Sequence, residues 1–432
     1  MKKYPKYKPI QIELINDIPE HWDKTRLKYI GFLYGGLTGK SGEDFKKEDD
    51  PNNKPFINFT NICNNTYISK DNFGTVSILD EENQNRVEQG DLFFLMSSET
   101  QDDIGKSSVL KDDIGEVYLN SFCKGFRINK KGIDPLFLNY LLNGNQYRQL
   151  MSVDGKGFTR INLRQDKVKD FFIFLPTPPE QSQIVDFLDQ KTSIIDDLIQ
   201  KKLRKIELLK EQRTTIINHT VTKGLNPNVK MKPSGVEWIG EIPEHWNPVR
   251  MKYLCEMITE KGETSEEDFK ISPENVESYT GICFNLKSEY NGEGMRFKKG
   301  DVLFNKLRIY LVKILYPDFD GYSMGEMIVL RPRSFYGRYL FYTLFNQGLI
   351  DQLNSQSTGV KLPRVSPEII LNSFLPSPPL PEQHQIVEYL DKKTTEIDTT
   401  ITLENKKIEL LKEYRQTLIS DVVTGKLDVR KN

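Results

Sequence analysis

The chain has 432 residues, with 60 Lys and Arg against 61 Asp and Glu, so its formal net charge is −1. That balance gives no whole-molecule pull on nucleic acid, and any DNA contact has to come from local patches. No apolar run approaches the roughly 20 residues a membrane helix needs, and the N-terminal MKKYPKYKP does not lead into a signal-peptide core. The four Cys (Cys63, Cys123, Cys255, Cys283) are scattered without a CxxC pair, which points to free thiols in a reducing, cytoplasmic setting rather than to disulfides or zinc. At 37% hydrophobic and 28% charged, the composition fits a globular protein of two or three domains with long charged helices.

After an N-terminal arm (1–17), the word IPEHW stands at 18–22 and returns at 242–246. Around it, YKPIQIELINDIPEHWDKTRLKYI (7–30) runs parallel to MKPSGVEWIGEIPEHWNPVRMKYL (231–254). This is an internal repeat, and it sets the architecture ahead of any secondary-structure reading. A first body, 18–176, follows the first copy. Its strands are KPFINFTNI (54–62), QGDLFFLM (89–96) and GEVYLNS (115–121), rich in β-branched and aromatic residues and bounded by Gly, Asn and Asp. PLFLNYLLNGNQYRQLM (135–151) has helical spacing with a Gly interruption. A basic, Gly-containing loop, DGKGFTRINLRQDKV (154–168), carries Lys156, Arg160 and Arg164.

LPTPPEQ (175–181) then leads into a long helix, 177–223. Leu188, Ile195, Lys202, Leu209 and Ile216 fall seven apart, with Val185, Thr192, Ile199, Ile206 and Arg213 as a companion row, which is a coiled-coil seam. A linker (224–241) precedes the second IPEHW and a second body, 242–376. Its strands are KGDVLFNK (299–306), YLVKILY (310–316) and MIVLRP (327–332), its helix RYLFYTLFNQGLIDQL (338–353), and its basic loop STGVKLPRVSPEI (357–369). In the second long helix, 377–427, residues 385–427 lie over 183–225 without a gap, about half of the positions being identical. Leu390, Ile397, Glu404, Leu411 and Leu418 take the seam, with Val387, Thr394, Ile401, Ile408 and Arg415 beside them, and a short tail (428–432) closes the chain. If the helices pack antiparallel, Lys202 meets Glu404 near the middle and can set register; the alternative is that both charges reach solvent. The fold expected is therefore two mixed α/β bodies in a pseudo-twofold inverted arrangement on an antiparallel coiled coil.

Groups able to touch phosphate or base edges cluster in the two basic loops (Lys156, Arg160, Arg164; Lys361, Arg364) and in NKLRIYLVK (305–313), which interleaves Asn305, Lys306, Arg308 and Tyr310. Catalytic motifs are missing. GGLTGKS (35–41) is one residue short of a phosphate-binding P-loop, and no [DN]-P-P-[FYW], GxGxxG or HExxH stretch is present. His21 and His245, each beside a Trp, read as packing or capping residues, and no metal-ligand cluster is visible.

In order, IPEHW, GDLFF or GDVLF, LPxPPEQ or LPxPPLPEQ, QIVxxLDxKT, IELLKE and the closing TxGL-like turn resemble the specificity subunits of type I restriction–modification enzymes over nearly the whole chain. SSETQDDIGKSSVL (97–110), which contains Lys106, and FNKLRIYLVK (304–313) resemble stretches inside that family's recognition domains. Leu380 and Pro381 lengthen the second hinge relative to the first. The resemblance implies that each body reads one half of a split double-stranded DNA sequence, and that the helices set the half-site spacing and dock two modification subunits. It also implies that S-adenosylmethionine, ATP and Mg belong to partner subunits, including a restriction motor where one exists, and that this chain holds no cofactor. Two other readings stay open from the residues alone: a scaffold whose bodies bind only proteins, and an enzyme with an unrecognised nuclease site.

Overall fold

The computed structural model describes residues 2–12, 14–45, 50–154, 161–287 and 292–430. Two compact units divide the chain, residues 1–201 with 407–432 and residues 202–406.

The first unit is organised by a four-stranded antiparallel sheet in the order Gly31–Gly35, Cys123–Ile128, Leu92–Leu95, Ser107–Val109. Leu92–Leu95 is buried at every position, so the GDLFF fragment is a central strand. The residues before it explain why Gly and Asp recur. Gly90 turns the chain at φ +88°, a conformation that favours Gly, and Asp91 takes the backbone N–H of Glu88 at 2.8 Å. The same carboxylate accepts from Arg127 Nε at 2.9 Å and Nη2 at 2.8 Å across the neighbouring strand. The second unit repeats the device. Gly300 turns at φ +91°, and Asp301 takes the Lys298 N–H at 2.8 Å and the Arg331 guanidinium at 2.8 and 2.7 Å. Its sheet runs Cys255–Ile258, Met327–Pro332, Val302–Asn305, Ile314–Leu315, the same order built from different residues.

Several predicted elements come out shorter. KPFINFTNI holds a strand only over Asn53–Ile57, because the Asn58 side chain takes the Asn61 N–H at 2.8 Å and starts the helix Phe59–Asn64. GEVYLNS keeps only Tyr118–Leu119. YLVKILY opens with a 3-10 turn, Ile309–Leu311, between left-handed Arg308 (φ 49°) and Val312 (φ 46°), which leaves a strand of just Ile314–Leu315. Each predicted body helix divides in two: Pro135–Leu142 and Asn145–Asp154, then Gly337–Leu344 and Gln347–Ser355. In the second body the break falls at Asn346, whose side chain caps the next helix through Leu349 N–H, and not at Gly348. The expected arm and linker are structured as well: Tyr7–Ile12 pairs with Ile15–Pro19, and Met231–Pro233 with Glu241–Pro243.

The long helices span Pro178–Lys223 and Leu380–Val423, each divided between the units. In the second unit Lys202 lies 2.7 Å from Glu404 and Arg213 lies 3.0 Å from Asp398, so one helix rises as the other descends: they are antiparallel. In the first unit Arg415 reaches Asp196 at 2.9 Å. Burial along the seam is uneven. Leu188, Ile195, Leu390, Ile397 and Leu418 are buried, whereas Leu209, Ile216 and Leu411 are half-buried. Ile386, Val387 and Leu390 join the core of the second body with Tyr339, Leu340 and Ile217. The start of this helix is therefore anchored in its own body, and only the middle of the repeat acts as a two-helix seam.

Candidate nucleic-acid interface

The repeated word secures each body to its helix. Trp22 and Trp246 are both fully buried. Glu180, in the first turn of the first long helix, accepts from Trp22 Nε1 at 3.1 Å and Tyr4 Oη at 2.7 Å, and lies 2.8 Å from His21 Nε2. Glu382 does the same for Trp246 (3.0 Å) and His245 (2.6 Å). The adjoining glutamines finish the joint: Gln181 takes the Asp134 N–H at 2.7 Å and Gln383 the Tyr336 N–H at 2.8 Å. IPEHW and PEQ are thus two halves of one lock, and both histidines are occupied structurally.

The polar interruptions of the seam have addresses too. Tyr140 Oη donates to Asp189 at 2.7 Å beside Thr192, and Tyr342 Oη donates to Asp391 at 2.6 Å beside Thr394. Burial pushes both phenols up to about 12.

On this frame the second body gathers six of the sequence candidates in one corner. Residues 357–366 return beside 305–308 through a Leu307–Arg364 bridge, with Arg308 N–H on Pro363 O at 2.7 Å and Val365 N–H on Lys306 O at 3.0 Å. Glu326 pairs with both Lys306 and Arg364, so these two cations hold the loop base together. Asn305 is buried and clips Leu307 through its carboxamide (2.7 and 3.2 Å), which removes it from base reading. Arg308 and Tyr310 are exposed on the left-handed turn, and Lys361 is exposed at the loop tip beside a fully exposed Val360.

In the first body Lys156 and Arg160 lie outside the described residues. Arg164 precedes the short helix Gln165–Asp170 and pairs with Asp166. Its loop rejoins the sheet as in the second body, Leu163 N–H bonding Met96 O at 2.9 Å. Lys106 is held 2.6 Å from Asp103 and lines a cavity of about 590 Å³ with Arg148, Lys412 and Arg415. Burial works against the Asp103 carboxylate, but hydrogen bonds from Lys106, Thr100 and Cys63 bring it down to about 2. Lys40 of the P-loop lookalike is spent on Glu82. Among the described residues no His, Cys, Asp and Glu group could hold a metal ion, and no helix is long and apolar enough to cross a membrane.

Two bodies with one sheet plan, each locked to the start of its own long helix and differing in their basic loops, define a modular recognition protein. Residues 19–208 and 243–413 both match the type I restriction modification DNA specificity domain, and the chain belongs to that family. Membership makes it a recognition component, not a catalytic one. It is 22% identical to the type I restriction enzyme EcoDI specificity subunit of Escherichia coli, over 71% of this chain and 73% of the relative. It is 22% identical to the MjaVIII specificity subunit of Methanocaldococcus jannaschii, over 96% and 94%. In fold it is similar to a chain solved in work on complex assembly and conformational transition of the type I R-M system, with TM-score 0.71 and 16% identity over 95% of this chain and 99% of the other. It is also similar to the HsdS subunit from Thermoanaerobacter tengcongensis, with TM-score 0.52 and 17% identity over 95% and 98%.

Proposed function

We propose that this chain is the DNA-reading subunit of a cytoplasmic type I restriction–modification assembly. Residues 18–176 and 242–376 each read one half of a bipartite duplex target, and the helices 177–223 and 377–427 set the spacing between the halves. The observation that carries this reading is the contrast inside the repeat: the sheet and lock are built twice alike, while the loops on them differ. Two different half-sites require two different reading surfaces on one scaffold. Arg308, Tyr310 and Lys361 are the second body's candidates for direct contact, and Arg164 with Lys156 and Arg160 the first body's.

Two modification subunits dock on the helices and bring S-adenosylmethionine; restriction subunits, where present, bring ATP and Mg. Ile194, Leu198, Leu203, Leu208, Leu403, Leu410 and Tyr414 support the docking, since every one is an apolar helix residue at least 40% exposed. The test is to co-express the chain with its modification partner and map methylated adenines by single-molecule sequencing. One bipartite motif is expected, and exchanging residues 23–172 or 247–372 should change one part while leaving the other. A stable complex that modifies no motif would point instead to a protein-binding scaffold.

A further inference from the structure

The duplication also serves as a filter on the surface. A side chain that reads bases should differ between the bodies, whereas one that touches what both half-sites share should be built twice. One exposed cluster built twice is both basic and aromatic. TRLKYI (25–30) and VRMKYL (249–254) each place an Arg at the end of the strand that pairs with the last strand of the body, then an exposed Lys and an exposed Tyr on the following turn. Tyr29 and Tyr253 are both 65% exposed, and Lys28 and Lys252 both lie 5.4 Å from the ring of the next residue. Arg26 stacks on Phe172 at 4.4 Å and Arg250 on Phe374 at 5.2 Å. A guanidinium over a ring keeps its N–H donors available for an oxygen-bearing anion.

The cluster adjoins the recognition loop. In each body that loop leads straight into a six-residue helix, Gln165–Asp170 or Pro367–Asn372, about 9 Å long. Directly after it, Leu27 N–H bonds Phe171 O at 3.1 Å and Met251 N–H bonds Ser373 O at 2.9 Å. Two differences separate the copies. Lys24 also lies over the Phe172 ring, at 4.2 Å, where the second body has Pro248. In the first body Asp170 takes Arg26 at 3.0 Å and Lys28 at 2.7 Å; the matching residue of the second body is the uncharged Asn372. The Asp170 carboxylate thus shows the anion geometry these donors accept, and in the first body it competes with any other anion.

We propose that Arg250, Lys252 and Tyr253, and with them Arg26, Lys28 and Tyr29, grip the sugar–phosphate backbone beside the half-site that each body reads. This rests on the DNA-reading function above. The residues are basic, which favours phosphate over a protein surface as the shared ligand. They bind without reading sequence, so they contribute affinity and register rather than specificity.

The test uses the assembly of this chain with its modification partner and two fluorescent duplexes, one carrying the motif that the wild type methylates and one with that motif scrambled. Affinities are taken over stepped salt. Arg250→Ala with Lys252→Ala should weaken both duplexes alike, by roughly tenfold at moderate salt, and make log Kd against log salt shallower by about one for each cation, with the methylated motif unchanged. Asp170→Asn should act in the opposite sense, tightening both duplexes by roughly threefold and steepening the slope. All three side chains are exposed or half-exposed, and unfolding midpoints check that the fold is intact. An altered motif would assign the cluster to base reading and overturn the proposal. So would an unchanged slope, and so would an unchanged slope accompanied by loss of the modification subunits on co-purification, which would make the cluster a protein contact. A wild-type assembly that prefers no sequence at all would sink the DNA-reading function itself, a result distinct from any of these.

Discussion

At the scale of single residues the chain invests most in two glutamates. Glu180 is buried and is the acceptor for a Trp N–H and a Tyr hydroxyl that have no other described acceptor, with His21 alongside. Glu382 is a third exposed and, among the described residues, serves Trp246 and His245. Orphaning a buried donor costs about 1–3 kcal/mol. Glu180→Ala should therefore lower stability by about 3 kcal/mol and Glu382→Ala by about 1 kcal/mol. Urea unfolding checks the order, and equal losses would show that water replaces the carboxylate at both sites. Asp103 offers a test by pH. Its folded value near 2 lies below the ordinary 3.8, so its stabilising contribution is complete above pH 4 and is lost as pH falls toward 2. Lys106→Met should thus cost about 1 kcal/mol at pH 7, the pair being partly exposed, and progressively less below pH 4. A gap between variant and wild type that persists at pH 2 would mean that Lys106 acts through its stem and not its charge.

At the scale of elements, the helix pair shows which charges can choose a partner. Asp196 and Asp398 occupy equivalent positions in the repeat, as do Arg213 and Arg415, so the two flanking ion pairs would form equally well between like helices. Of these three pairs, only the central one distinguishes the helices: buried Glu404 accepts from Lys202 at 2.7 Å and Lys205 at 3.0 Å, and its equivalent in the first helix is Lys202. Glu404→Lys replaces that acceptor with a third ammonium and should cost about 3–5 kcal/mol, whereas Lys202→Glu should cost less because Lys205 still serves Glu404. The double variant should recover most of the loss but not all, since Lys205 would then face a lysine. A double variant as unstable as the two singles summed would refute the pairing.

The heptads that bring these charges together were legible in the sequence, and so were the repeat and the buried GD strands. What the polar seam positions bind was not: Thr192 and Asp189 answer a tyrosine about fifty residues upstream, and periodicity carries no long-range address. The candidate site divides the same way. Arg308 and Lys361 stand exposed as their sequence context suggests, but Lys306 and Arg364 converge on Glu326, which lies 20 residues from one and 38 from the other. The left-handed turn at Arg308 carries no glycine to announce it. Arg26, Lys28 and Tyr29 were printed in the repeat from the start, but only their exposure separates them from its packing residues.

At the scale of the whole molecule, the useful question is what the helix pair measures. Inserting one heptad into each long helix, after Leu203 and after Asn405, keeps the apolar faces in phase because the seam repeats every seven residues. It lengthens each helix by about 10 Å, close to the rise of three base pairs of duplex. If the helices are the ruler, the methylated motif should keep both of its halves and gain about three base pairs between them. Arg250 and Lys252 are untouched by the insertion, so the salt dependence of binding should not change. A motif with the original spacing, methylated by an assembly that still forms, would mean that the modification partners fix the distance and that the helices serve only as their dock.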